Sequence, residues 1–304
     1  MNEKINAIEI RGLTKSFRGL YALDRLDMTV PAGAIYGFIG ENGSGKSTTE
    51  KLICGQLVPN KGKISLFGKS YKNPGVRARV GALIENAGCF PNSTVYQNLM
   101  MQAINLNLES RNEEIQRVLK IVRMENNAGL KFKKCSLGMK QRIGIAMALL
   151  GDPALLILDE PINGLDADGM RIMREILVDI TQNSGCTVLI SSHILGELEK
   201  IATHYGIIRQ GKMIEELTAK EMESRSRVFT SVRAKDMQNT FLVLRHFFRN
   251  VRAEDGCVRV YDVDDTEQIA ARLMENGIIP NELKKNKIGL EEYYTQLMSR
   301  KEAG

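Results

Sequence analysis

Nowhere in the 304 residues do apolar side chains run uninterrupted for the ~18 positions that a membrane-crossing helix requires, so a bilayer-spanning role is not expected. The opening stretch MNEKINAIEIRG lacks an apolar h-region and a small-residue cleavage site, so secretion is not expected either. Cysteine is scarce: Cys54, Cys89, Cys135, Cys186 and Cys257 are odd in number and never spaced C-x-x-C. That pattern argues against a disulfide frame and a zinc site, and it predicts reduced thiols in a cytosol, mostly as small core residues. The net charge of +6 is modest, and no lysine–arginine stripe interleaved with aromatics marks a nucleic-acid footprint. KFKK, from Lys131 to Lys134, comes nearest and reads as a solvated or phosphate-facing loop. Repeats, low-complexity tracts and heptad runs are also missing. What remains, at 43% hydrophobic and 26% charged, is an ordinary globular composition long enough for two domains.

The first 35 residues read as two strands joined by turns, AIEIRGLTKSF and LDRLDMTV. Ala34 to Ile39 is a short apolar run without alternation, the pattern of a strand buried on both faces of a parallel sheet. A glycine-rich loop and a helix over about Ser47–Leu57 follow. Further helices are predicted over Val95–Asn107, Glu113–Arg123 and Gly138–Leu150. A second buried run, Ala154–Leu158, leads through a loop into a helix over Ala167–Gln182, a strand at Thr187–Ser191 and a helix starting near Leu195. Alternating strands and helices predict an α/β unit with its site at the carboxyl ends of the strands. Near residue 217 the chain becomes charged and linker-like, TAKEMESRSRVFTSVRA, before a strand at Val228–Val232. A helix (Asp236–Phe248), a hairpin (Val251–Val263), a helix (Thr266–Asn276), a short strand and a last helix (Leu290–Arg300) predict a small α+β domain. The division is therefore 1–217 and 218–304, and the second part carries no catalytic constellation.

GENGSGKST, starting at Gly40 between a buried strand and a helix, fits G-x-x-x-x-G-K-[ST]. Gly40, Glu41, Asn42, Gly43, Ser44, Gly45, Lys46, Ser47 and Thr48 would bring successive backbone N–H groups onto phosphate oxygens, reinforced by the helix N-terminus. Lys46 can reach the β- and γ-phosphates, and the Ser47 hydroxyl can ligate Mg²⁺. The second strand, ALLILDEP, ends on two adjacent carboxylates. Asp159 is placed to hold magnesium through water, and Glu160 to take a proton from an attacking water. Together these motifs imply a nucleoside triphosphatase.

Between them lies CSLGMKQRIGIAMALLGDP, which resembles the signature segment of ATP-binding cassette (ABC) ATPases, usually Leu-Ser-Gly-Gly-Gln. Cys135, Ser136, Leu137, Gly138 and Met139 occupy the matching positions; the first glycine has become Leu137 and the glutamine Met139. Ser136 and Gly138, the phosphate-contacting pair, are retained. The resemblance implies that this segment caps the γ-phosphate held by a partner subunit, in a head-to-tail dimer, as a homodimer. PINGLD resembles the D-loop, which carries Asp166, and VLISSHIL resembles the segment whose histidine senses the γ-phosphate, here His193. Phe17 in TKSF takes the place of the aromatic that stacks on adenine, and core burial is its alternative reading. The likeness covers about residues 5–217. It implies a P-loop ABC fold, with a RecA-like core, an antiparallel β subdomain and a helical subdomain, using ATP and Mg²⁺.

RVGALIENAGCF places Glu85 at a strand end where these ATPases usually carry a glutamine that touches magnesium and the membrane subunit. By itself the carboxylate could be a solvated loop residue, a metal ligand, a general base or a coupling lever. Glu160, on the better-defined strand end, takes the base role, and the resemblance implies that Glu85 is a magnesium ligand and a lever at the nucleotide–permease junction. GALIENAGCFPNSTVYQNL resembles the version found in ATPases that export, or confer immunity to, peptide antibiotics such as lantibiotics and bacitracin. The expectation is an ATPase subunit at the cytoplasmic face of the membrane, coupled to a separate permease and without nucleic acid. The alternatives are a soluble ABC-type ATPase acting on nucleic acid or ribosomes, an exporter of another substrate, and a P-loop kinase. A kinase would leave the Ser136 segment and His193 without purpose.

Overall fold

The computed structural model describes residues 5–225, 228–261, 263 and 265–300. The chain divides into two compact units, Met1–Ala219 and Lys220–Gly304.

The first unit is built on two sheets. Strands β1 (Asn6–Phe17), β2 (Leu20–Pro31), β4 (Lys61–Leu66) and β5 (Lys69–Ser70) form an antiparallel sheet in the order β2-β1-β4-β5. A six-stranded sheet holds β3 (Ile35–Ile39), β6 (Val80–Leu83), β7 (Leu155–Asp159), β8 (Thr187–Ser192), β9 (His204–Arg209) and β10 (Lys212–Thr218) in the order β10-β9-β3-β8-β7-β6. All its pairings are parallel except β9–β10. Every residue of β3 and β8 is buried, as unbroken apolar runs in a covered parallel sheet require. Helix α1 (Lys46–Ile53) shares one core with both sheets: Leu52 and Ile53 pack with Ile8, Met28, Phe38, Ile157 and Leu189. Full burial of each such side chain contributes about 1.5–3 kcal/mol. The short α2 (Pro74–Arg77) precedes β6.

Helices α3 (Val95–Asn105), α4 (Arg111–Ile121) and α5 (Leu137–Leu149) pack on one another. A capping box on Thr94 and Gln97 starts α3. Most of α5 from Ile143 onward is buried, so its N-terminal turn is the exposed end. Helix α6 (Ala167–Ser184) stops at Gly185, which is left-handed, and α7 (Leu195–Leu198) is a single turn.

After α8 (Ala219–Arg225), the second unit runs β11 (Val228–Ala234), α9 (Met237–Phe247), β12 (Val251–Glu254), β13 (Cys257–Tyr261), α10 (Thr266–Glu275), β14 (Pro280–Lys287) and α11 (Leu290–Arg300). The sheet order β12-β13-β11-β14, antiparallel throughout, makes the first six of these strands and helices a ferredoxin-like β-α-β-β-α-β. Leu244, Phe248, Ile269 and Leu273 cover one face of the sheet over Val232, Val258 and Val260. Tyr293 of α11 joins Phe229, Tyr261 and Ile288 on the other.

Several expectations need correcting. The helix expected to reach Leu57 ends at Ile53, because the chain turns left-handed at Gly55. The stretch expected as a linker is helical over Ala219–Arg225; Ser226 and Arg227 lie outside the described residues. The helix expected from near Leu195 forms as the single turn α7, but the hairpin β9–β10 that follows it was not expected, and neither were β4 and β5. These strands are short or strongly charged, so their pairing is set by neighbours rather than by their own pattern.

Candidate nucleotide site

Parallel register gathers the site along one sheet edge. Ile39 pairs with Ser192, Ser191 with Asp159, and Leu158 with Leu83. The chain therefore leaves β3, β8, β7 and β6 at the same end, with Gly40, His193, Glu160 and Glu85 in the loops just beyond.

The loop after β3 needs its glycines. A Cβ on Gly40 would stand 2.5 Å from the Ile208 carbonyl oxygen, and Gly45 holds φ at 113° with Leu23 pressed against it. The Lys46 amine, only 6% exposed, donates to the carbonyls of Gly40 (2.7 Å) and Glu41 (3.1 Å). Among the described residues no carboxylate pairs with it, which leaves a buried cation at a helix N-terminus open to an anionic ligand. Glu41, Asn42 and Gly43 are exposed, Ser44 and Gly45 are buried, and Ser47 and Thr48 are half-buried. The Ser44 hydroxyl is buried without a hydrogen-bond partner.

At the end of β7, Asp159 accepts from the Ser191 hydroxyl at 2.8 Å. The Glu160 N–H donates to the Ser191 carbonyl and hydroxyl oxygens, both at 3.2 Å. Glu160 sits at φ 49°, a left-handed conformation costly for a side chain with a Cβ, so the site holds it there against local preference. Its Oε2 lies 2.8 Å from His193 Nδ1, an arrangement in which the ring N–H donates to the carboxylate. Lys46, Asp159, Glu160 and His193 thus stand along one edge, and Ser191 links the strands between them.

Three residues escaped the sequence reading. Ser191 stands near the end of β8, after the apolar run Val188–Ile190, and carries no signal of its own. Glu50 of α1 is fully buried, and neither carboxyl oxygen has a partner. Burial, with Asp159 as the principal like charge, pushes its carboxyl up to about 8. The visible signal was an acid in STTEKLI falling on the buried stripe of the helix. Lys51, the next residue, donates to Glu85 Oε1 at 2.5 Å. Glu85, with a left-handed φ of 63° and a side chain 64% exposed, is therefore engaged with a lysine. Beside it opens a cavity of about 360 Å³ lined by Asn86, Cys89, Phe132, Leu137, Lys140 and Gln141 among others.

The Ser136 segment is not joined to this edge by any hydrogen bond among the described residues. Ser136 caps α5, accepting from the Met139 N–H at 3.3 Å, and Gly138 faces Leu165. Asp166 caps α6 through the Gly169 N–H at 2.8 Å. Phe17 is 45% exposed with the Lys15 amine 4.9 Å above its ring, so it is not a core residue.

The donors suit a hard cation. The Ser47 hydroxyl and the Asp159 carboxylate offer oxygen, and the orphaned Glu50 oxygens lie on the same helix. No group of three or more His, Cys, Asp or Glu residues is arranged to hold a metal among the described residues.

A family model described as ABC transporter matches residues 23–163. The bacitracin transport ATP-binding protein BcrA of Bacillus licheniformis is 36% identical over 297 residues, 96% of this chain and 97% of that protein. The lantibiotic transport ATP-binding protein SrtF of Streptococcus pyogenes is 38% identical over 209 residues, 69% of this chain and 90% of that one. Among solved structures, cbiO1 from Clostridium perfringens, part of the ABC transporter complex cbiONQ, is similar with a TM-score of 0.66. It is 27% identical and covers 73% of this chain and 92% of its own.

Proposed function

The chain belongs to the ATP-binding proteins of ABC transporters, and from that premise we propose that it hydrolyses ATP at the β3–β8–β7 sheet edge to drive removal of a peptide antibiotic through a separate permease. The observation that carries the site assignment is the line of Lys46, Asp159, Glu160 and His193 along that edge. The triphosphate lies in the Gly40–Thr48 loop, its charge met by backbone N–H groups, the α1 N-terminus and the Lys46 amine. Phe17 offers an exposed face for the adenine. Ser47 and Asp159 hold Mg²⁺, which when bound offsets charge on the phosphate oxygens. Glu160 accepts the proton of the attacking water, and His193, hydrogen-bonded to it, orients the carboxylate and senses the γ-phosphate.

Ser136 and Gly138 complete the site of a second copy: an exposed helix start with a hydroxyl is suited to a γ-phosphate that this chain's own P-loop does not present to it. Asp166 lies at the start of the neighbouring helix and belongs to the same junction. Glu85, beside the cavity at Phe132 and Leu137, passes the state of the site to the permease. Among the described residues no helix is long and apolar enough to cross a membrane, so the pathway is assigned to a partner and this chain to the cytoplasmic face. The second unit serves dimer support or regulation.

The cargo assignment is supported by the extent of likeness. The match to BcrA runs through both units, whereas that to SrtF covers 69% of the chain. In a bacterium expressing the chain with its permease, tolerance to bacitracin-type peptides should rise and should vanish with Glu160→Gln. Unchanged tolerance across bacitracin and a lantibiotic panel, with the complex assembled, would remove the cargo assignment.

A further inference from the structure

Glu50 has no place in the mechanism above. It lies on the buried stripe of α1 with Thr49, Leu52 and Ile53, fully shielded from solvent, with both carboxyl oxygens unpartnered. A carboxyl group is not needed to fill that space; a methionine would do so without the cost of burying polar oxygens. Buried polar atoms in folded proteins are nearly always satisfied, so two orphaned oxygens on one side chain point to a partner that arrives with a ligand.

The neighbours narrow the identity of that partner. Glu50 follows Ser47 by three residues, which puts both on the same face of α1. Asp159 is the strongest charge bearing on Glu50; the nearby Ser191 hydroxyl acts in the opposite sense, and Lys46 and Glu160 follow. Lys46 is engaged with the carbonyls of Gly40 and Glu41, and the Ser191 hydroxyl with Asp159. The species that belongs between Ser47 and Asp159 is the hydrated cation of the nucleotide complex. Mg²⁺ keeps several of its waters, and a buried carboxyl oxygen is an acceptor for them.

We propose that Glu50 is a positioning residue for that cation, its carboxyl accepting a hydrogen bond from a cation-bound water behind Ser47 and Asp159. It sets the affinity and geometry of the cation without touching the nucleotide. The inference rests on the cation position assigned above to Ser47 and Asp159.

Mn²⁺ provides the probe, its binding to the ATP-loaded full chain followed by electron paramagnetic resonance in a Glu160→Gln background so that nucleotide is not consumed. Glu50→Met should weaken Mn²⁺ binding roughly tenfold and Glu50→Gln at least threefold. Affinity for ATP in excess chelator should stay within twofold of the parent for both. Mn²⁺ affinity within twofold of the parent in Glu50→Met would overturn the proposal and leave Glu50 as a buried acid with no ligand role. Should Glu50→Met fail to fold, the isosteric Glu50→Gln decides by the same twofold criterion. Asp159→Asn is the control: if it weakens Mn²⁺ binding while the Glu50 variants do not, only the Glu50 role falls. If Asp159→Asn also has no effect, the cation position is wrong and both readings fall.

Discussion

The P-loop and the Ser136 segment are both helix N-termini shaped for anions, and they are built in different ways. At the P-loop the helix start is buried between two sheets. Glycines allow the backbone to close, and the Lys46 amine is folded back onto the loop carbonyls. At Ser136 the helix start is exposed, Leu137 is 50% accessible, and among the described residues no lysine amine donates to the Ser136 segment. The first cradle has its basic side chain, its carboxylates and its histidine within one chain. The second has a hydroxyl and a helix end facing outward with no phosphate site of its own. One chain therefore contains one complete cradle and one half cradle, and in the pairing proposed above the half cradle of each copy would complete the site of the other.

The contrast can be broken or sharpened by substitution. The largest effect is expected from Glu160→Gln: steady-state ATP turnover should fall about 10³-fold while ATP binding persists and dimers accumulate in size-exclusion chromatography. Turnover near the parental rate would remove Glu160 from the base role. Lys46→Ala attacks the complete cradle, and a fluorescent ATP analogue should bind it roughly a hundredfold more weakly, about 3 kcal/mol. Ser136→Ala attacks the half cradle. It should lower turnover about tenfold and leave nucleotide affinity of the dilute monomer unchanged. Equal loss of monomer affinity in both variants would erase the distinction between the cradles.

Asp166→Ala removes an N-cap as well as a junction residue. Its thermal unfolding midpoint should drop by the ~2–4 °C that about 1 kcal/mol of capping represents in a domain of this size. The smallest effect in solution belongs to Glu85→Gln, which exchanges an exposed ion pair with Lys51 for a neutral contact. ATP turnover of the isolated chain should stay within about twofold, since such pairs contribute under ~1 kcal/mol. Tolerance to the peptide antibiotic in cells should nevertheless fall. Full tolerance would show that the acid plays no part in coupling.

Much of the site was legible because its parts are local. Strand, glycine loop and helix follow one another in GFIGENGSGKSTTE, and ALLILDEP carries its two carboxylates at the end of its own strand, so spacing alone conveys the chemistry. The parts that were not legible are those created by sheet order. Ser191 links Asp159 and Glu160 only because β8 lies between β3 and β7. Glu85 meets Lys51 only because the loop after β6 passes α1. In the second unit each helix and strand after α8 could be read, but β-α-β-β-α-β with β11 and β13 at the centre follows from pairings across many residues.

By itself, the sequence determined the nucleotide chemistry, the family resemblance and the alternation of strands and helices, because those depend on neighbours along the chain. Only the tertiary structure decided that Phe17 is exposed, that Glu160 meets His193, and that Glu50 is sealed inside with neither carboxyl oxygen hydrogen-bonded. Burial and partnership are properties of space, and residues 50, 159 and 191 become neighbours only when the sheet closes around them.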